Sequence, residues 1–316
     1  MAWIGLFILF FMLLAIDFLV FATKDAPSRS KTLKETLFLV SVAMGFSFVI
    51  YVLYSNGLVD NVSSLSASQA TMKYLSGYLI ELSLSMDNLF VMAIIFKSYQ
   101  IPLKHQHKVL FWGIVGAIVF RLGMISAGVV LMNQISWMTY FFGAFLLFTA
   151  LKMFFGKEED SHAPKRNSRL EKWLRISDAP EEGAFTFKKD GLRYFTPLFL
   201  ALIMIELTDL LFALDSIPAI LAITTDPFIV FSSNIFAILG LRSMYFFLAD
   251  MMERFKYLKQ SVVAILIYVS LKLLSYEFVH PPEWLSLLII ALCLVAGVLY
   301  SYWKAKKDSE DNGLMQ

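Results

Sequence analysis

The sequence is short of the groups that most soluble enzymes use. It has one cysteine, Cys293, in 316 residues. No intrachain disulfide is possible, and a cysteine-based metal site is excluded. Its four histidines (105, 107, 162 and 280) all fall outside the long apolar runs, so no imidazole ligand is expected within them. Charged residues make up 16% of the chain, against about 25% in a typical soluble domain. No glycine-rich nucleotide loop is present. The N-terminal run MAWIGLFILFFMLLAIDFLVF has neither a basic leader nor a clear cleavage site, so it reads as a first membrane span and not a signal peptide. What is abundant is apolar: 58% of residues are hydrophobic. This is the composition of a polytopic membrane protein.

Nine apolar runs have spanning length: 3–23, 34–54, 75–97, 109–132, 136–155, 196–222, 229–250, 261–279 and 284–303. Basic residues follow the same division. Alternate connections hold 22 of the 27 lysines and arginines, and the opposite side holds only Lys73. By the positive-inside rule the N-terminus is outside and the C-terminus cytoplasmic. His105 and His107 then flank a cytoplasmic turn and read as exposed polar residues. The segment 156–195 is the one sizeable extramembrane part, expected as a solvated cytoplasmic loop. Within it, SRLEKWLRI at 168–176 suits a short amphipathic helix. AFTFKKDGLRYF at 184–195 alternates around Asp190-Gly191, as a hairpin does. The tail 304–316 is expected to be disordered.

Charge inside the apolar runs is the feature that demands an explanation. IELSLSMDNLFV at 80–91 carries Glu81 and Asp87. IMIELTDLLFALDSIP at 203–218 carries Glu206, Asp209 and Asp215. One ionised carboxylate at the bilayer centre costs about 2.5–3.5 kcal/mol on insertion scales, so five cost roughly 12–17 kcal/mol by simple summation. Ser, Asn or Gln would fill a purely structural role at lower cost. Aligning Asp87 with Asp215 places Glu81 on Asp209 and Asn88 on Ser216. GAIVFR ending at Arg121 then matches AILGLR ending at Arg242, and FTALKMF around Lys152 matches YVSLKLL around Lys272. Each copy, 75–155 and 196–280, is three spans: acidic, Arg-bearing and Lys-bearing. The copies enter the membrane from opposite sides, which is the inverted-repeat plan of many transporters. Residues 1–55 and 284–303 lie outside the repeat. The expected fold is therefore all-α and polytopic, with nine transmembrane helices and two inverted three-helix repeats.

Carboxylates joined by an amide and a hydroxyl form a hard oxygen site suited to Mg²⁺, Ca²⁺ or Mn²⁺. The candidate metal-binding residues are Glu81, Asp87, Asn88, Glu206, Asp209 and Asp215. Ser216, Arg121, Arg242, Lys152 and Lys272 complete the expected transport path, the bases holding the acids ionised and changing partners during transport. Met86 is a weaker candidate for a soft ligand. Asp17 is an entrance or anchor residue, or only a span-end residue. On an ideal helix, residues six apart are about 120° apart around the axis. One straight helix therefore does not present Asp209 and Asp215 to one ion. Either span 6 breaks near Ser216–Pro218, or the acids serve successive stations.

These blocks carry a family resemblance. GYLIELSLSMDNLFV, FRLGMI, FGAFLLFTALKM and ELTDLLFALDSIPAILAITTDPFIVFSSNIFAILGLRSMYFFL resemble the TerC family of bacterial integral membrane proteins, nearest its Alx-like branch. The resemblance covers roughly residues 5–280. It implies an inner-membrane metal-ion exporter with manganese as the favoured substrate, and it marks Glu81, Asp87, Asn88, Glu206, Asp209 and Asp215 as motif positions. Members of that branch also carry a redox-modulator label, which one lone cysteine does not support. The expected partners are the lipid bilayer and the transported ion, with no nucleic acid, no resident cofactor and no enzymatic activity. Proton exchange is the expected coupling, since the acids outnumber what one ion needs and no ATP-binding motif is present. Alternatives are export of an amino acid or other small cation, an assembly factor, or an intramembrane aspartyl hydrolase using Asp87 and Asp215. The last lacks the GxGD-type context at both positions.

Overall fold

The structure is a computed structural model. It describes residues 2–16, 29–61, 63–135, 137–155, 176, 183–189, 192–249, 258–275, 278 and 281–313. Ten helices and one hairpin are present among them: α1 (Ala2–Ile16), α2 (Arg29–Ser55), α3 (Ala67–Ser98), α4 (Leu103–Gln134), α5 (Met138–Phe155), β1 (Thr186–Lys189), β2 (Leu192–Phe195), α6 (Pro197–Leu221), α7 (Pro227–Leu239), α8 (Leu241–Ala249), α9 (Leu258–Leu274) and α10 (Glu283–Gly313).

Local sequence signals set the helix starts. Ser66 and Gln69 form a reciprocal capping box before α3. Thr196 caps α6 and Asp226 caps α7, each followed by a proline at the first helical position. That proline has no N–H to leave unsatisfied at a helix start, and its fixed φ suits the helix. Helices dominate because a bilayer offers no other partner for backbone N–H and C=O groups.

Six stretches are long and apolar enough to cross a membrane: Ser30–Ser55, Leu103–Met132, Met138–Phe155, Pro197–Leu221, Pro227–Phe247 and Trp284–Lys304. Ala2–Ile16 and Gln260–Leu274 are shorter apolar helices. Helix α3 is 32 residues long, like α4, but carries Lys73, Glu81, Asp87 and Lys97 and is not among the six. Large apolar side chains cover the outside: Ile4, Ile8 and Phe11 on α1, Val119 and Phe120 on α4, and Leu207, Leu211 and Leu214 on α6 are all exposed. On a soluble protein such a surface would be a liability; facing lipid it is the expected exterior.

The interior is built around α7, which with α8 forms a stretch (Pro227–Phe247) that is buried throughout residues 228–245. Helix α3 packs against α7, α6 against α4, α5 against α9, and the two acid-bearing helices α3 and α6 against each other. Helix α6 thus leans on the Arg121-bearing helix of the other sequence copy, while α3 leans on α7 and also touches α8, which carries Arg242. Helices α2 and α10 flank α3, and α1 packs on α7.

One open alternative is decided and two details differ from expectation. Helix α6 runs unbroken through Pro218 to Leu221. The proline sits in its last turn, where it removes one backbone bond and leaves the helix intact. Helix α10 continues past residue 303 to Gly313, so the expected disordered tail is helical to that point. The expected span 229–250 is two helices meeting at Gly240. The hairpin is present, with antiparallel register Thr186↔Phe195 to Lys189↔Leu192. It rests on the start of α4, where Lys108 Nζ donates to Gly183 O at 2.8 Å and lies over the Phe185 ring. Asp17, most of 156–182 and the Asp190-Gly191 turn lie outside the described residues; of the expected 168–176 helix only Ile176 is described, in a bridge to Phe195.

Candidate functional site

Helix α3 presents Glu81, Ser85 and Asn88 at i, i+4 and i+7, one face of a helix. All three are buried. Helix α6 presents Asp209 and Ser216, also seven apart and buried. Arg121 of α4 reaches between them and is only 2% exposed.

The guanidinium is held from three helices. Its Nε donates to Asp209 Oδ2 at 3.2 Å and Nη2 donates to Asp209 Oδ1 at 2.9 Å. Nη1 donates to Glu81 Oε1 and, at 3.1 Å, to Asn234 Oδ1 of α7. Asn88 Nδ2 donates to Asp209 Oδ1 at 3.2 Å. One arginine therefore ties both sequence copies together. Two carboxylates against one guanidinium leave the group net negative, and removal of the arginine leaves both acids without their cation.

On one side of this ion-pair network lies a cavity of about 40 Å³. Its polar wall is Glu81, Asn88, Arg121, Asp215 and Ser216; Phe212 and Leu266 close the apolar side. Three of the wall's oxygens, Glu81 Oε2, Asn88 Oδ1 and Ser216 Oγ, are buried and accept or donate no hydrogen bond. Asp215 enters from α6, its Oδ1 accepting from Thr149 Oγ1 of α5 at 3.1 Å. On the other side a smaller void, about 10 Å³, reaches Asp209 past Gly113 and Arg242.

The predicted residues divide accordingly. Glu81, Asn88, Asp209, Arg121, Asp215 and Ser216 come together. Asp209 faces Arg121 while Asp215 faces Thr149, so the six-residue spacing gives two stations and not one bent helix. Asp87 lies on α3, but its side chain and that of Met86 are outside the described residues. Among the described residues no three of His, Cys, Asp and Glu converge on one point; the oxygen set depends on the amide and the hydroxyl.

Four predicted residues lie elsewhere. Glu206 is turned onto α4, its carboxyl group pressed against Gly116 so closely that a β-carbon there would collide with it. Arg242 is buried, with Nη1 3.5 Å from His107 Nδ1. Lys152 is exposed in the last turn of α5, and Lys272 donates to Ser286 Oγ of α10 at 3.1 Å. The Lys152 stem leads its charge out from the end of α5, whereas Lys272 is half-buried and turned to the buried Ser286. His107, expected on an exposed turn, is buried and stacked on Phe246. Helix α4 starts at Leu103, so His107 is already one turn inside it. Asn234 and Thr149 were missed by the sequence reasoning, since neutral polar residues in a span carry little penalty to flag them.

An all-helical core with buried carboxylates under a lipid-facing apolar exterior defines a polytopic integral membrane protein with a charged interior. Residues 66–309 match the integral membrane protein TerC family, and the chain belongs to it. Among its relatives, "Putative membrane-bound redox modulator Alx" of Escherichia coli (strain K12) is 39% identical over 98% of this chain and 97% of the relative. The Alx of Photorhabdus laumondii is 44% identical over 80% of each chain. "Uncharacterized membrane protein STKORF319" of Myxococcus xanthus is 46% identical over 74% of each. No solved structure matches the chain.

Proposed function

We propose that this chain is a secondary exporter of a divalent metal cation, Mn²⁺ foremost, with its site between α3 and α6 in the bacterial inner membrane. The observation that carries the proposal is the set of unpartnered buried oxygens on Glu81, Asn88 and Ser216, facing the same cavity as Asp215. Buried polar atoms ordinarily find partners. Oxygens left without one, beside a carboxylate, form a ligand set for a hard cation. The group is net negative, so the field favours a cation. The cavity has room for an ion with little of its hydration. It is too small for an amino acid, which favours the ion over that alternative. The family resemblance selects manganese among the hard divalent ions.

The cross-packing of α3 on α7 and α6 on α4 supports an alternating-access reading. It supports two inverted halves rocking about the Arg121 network, within nine spans with the N-terminus outside. No catalysis is part of this proposal. The redox name of the Alx relatives suggests a second reading, and Cys293→Ser separates the two: an exporter keeps its full activity without that thiol.

The deciding experiment is cellular metal content by mass spectrometry under manganese load. Deletion of the gene and Asp215→Asn are both expected to raise cell manganese. Manganese unchanged in both strains refutes the proposal.

A further inference from the structure

The hairpin beside α4 and α6 carries a charge arrangement that its own fold does not answer. Its register sets Lys188 directly opposite Arg193. Residues paired in this way project from one face of the ladder, close enough for like charges to repel. Both side chains are exposed, and among the described residues no carboxylate forms an ion pair with either. The stretch 184–195 holds Lys188, Lys189 and Arg193 against Asp190 alone, a net charge of +2.

The hairpin is held in one pose. Thr196 closes its base: the backbone N–H donates to Phe185 O at 3.1 Å, and Oγ1 donates to Ala184 O at 2.7 Å. Lys108 of α4 donates to Gly183 O. Gly183, at φ +87°, lies so near the His105 ring that a β-carbon would collide with it. Phe187 stacks on Tyr194 on one face of the ladder. The other face begins at Phe195, which stacks on Phe199 in the first turn of α6. It continues to Lys188 and Arg193, one step further from the helix.

That pose puts the pair beside the bilayer. Pro197 opens a helix of membrane length, and Arg193 is three residues before Thr196. At about 3.3 Å per strand residue this is at most about 10 Å of chain. Charges in physiological salt feel one another over about 8 Å, and the arginine side chain covers the remainder. An anionic headgroup surface attracts basic groups within that range. It offers opposite charge to both members of the pair at once. The place of the pair at the foot of a span favours such a surface over a soluble anion.

We propose that the 184–195 hairpin docks on anionic lipid headgroups through Lys188 and Arg193. The positive-inside reading of the sequence makes that leaflet the cytoplasmic one. The contact is independent of what the chain transports.

The test uses the purified full chain in nanodiscs of mixed phosphatidylglycerol and phosphatidylcholine. Native mass spectrometry of the released protein counts the lipids and small anions retained on it. The wild type is expected to retain phosphatidylglycerol over phosphatidylcholine. Arg193→Gln is expected to lower the bound-to-free ratio for phosphatidylglycerol about fivefold, the share of one basic group near such a surface, with phosphatidylcholine unchanged. Lys188→Glu is both the stronger block and the folding control. It sets opposite charges across the ladder, so the hairpin amides should exchange no faster than in the wild type, while the retained phosphatidylglycerol falls further. Equal retention of the two lipids, or retention unchanged in Lys188→Glu, overturns the proposal. A hairpin that melts in Lys188→Glu also overturns it. So does added inorganic phosphate, if its adducts and not those of phosphatidylglycerol depend on Lys188 and Arg193, since the partner is then a soluble anion.

Discussion

Arg121 is itself a cation in the middle of the proposed cation site, and its removal is the most informative perturbation. Its guanidinium lies on the wall of the cavity that Glu81, Asn88, Asp215 and Ser216 share. A divalent ion at about 6 Å from that charge, at an effective dielectric near 20, meets roughly 5–6 kcal/mol of repulsion. Arg121→Gln abolishes the repulsion and frees Asp209 Oδ2 and Glu81 Oε1, leaving Asp209 Oδ1 with only its bond from Asn88. Water entry and protonation of a freed acid offset most of the gain. Tenfold tighter Mn²⁺ binding, about 1.4 kcal/mol, is the smallest effect consistent with direct competition. Calorimetric titration of the purified full chain with Mn²⁺ measures this. Efflux should slow at the same time, because the internal cation that displaces the ion is gone. Arg121→Lys keeps the charge and serves as the folding control. Equal or weaker Mn²⁺ binding in a folded Arg121→Gln protein refutes the competition.

Other expectations follow from single contacts. Asp215→Asn should lose Mn²⁺ binding outright in the same titration. Thr149→Val removes the 3.1 Å hydrogen bond to Asp215 and should weaken binding several-fold, in line with about 1 kcal/mol for such a bond. Asp226→Ala leaves the N–H groups of Phe228 and Ile229 without their acceptor. It should cost about 0.5–2 kcal/mol of stability, read as a lower melting temperature in detergent. Pro218→Ala should leave transport near wild type, because α6 is already continuous there.

Much of this architecture is written in the sequence because lipid makes charge expensive. Glu81, Asp209, Asp215 and Arg121 stand out against apolar runs, and the structure gathers them. The hairpin was legible in Asp190-Gly191 between alternating residues. What was not legible has physical causes. Asn234 and Thr149 are cheap enough in a span to pass as packing. Lys152 and Lys272 match in sequence, but Lys152 is exposed at the end of α5 while Lys272 turns to the buried Ser286 of α10. Glu206 differs from Asp209 only in which side of α6 it faces, and that is fixed by Gly116 on another helix. The sequence left a break at Pro218 and two stations equally open; a break needs the proline well inside the helix, and Pro218 is in the last turn.

The buried stretch within Pro227–Phe247 has a consequence for synthesis. It is the least apolar of the six candidate spans, and it keeps Asn234 and Arg242 inside. Alone in lipid it would expose both. Its neighbours α1, α2, α3 and α4 all precede it in the chain. Translation therefore delivers the socket before the helix that fills it, and the order of the chain acts as an assembly instruction. A permuted gene that makes residues 227–249 first should yield protein that is degraded, although every contact of the final fold remains encoded.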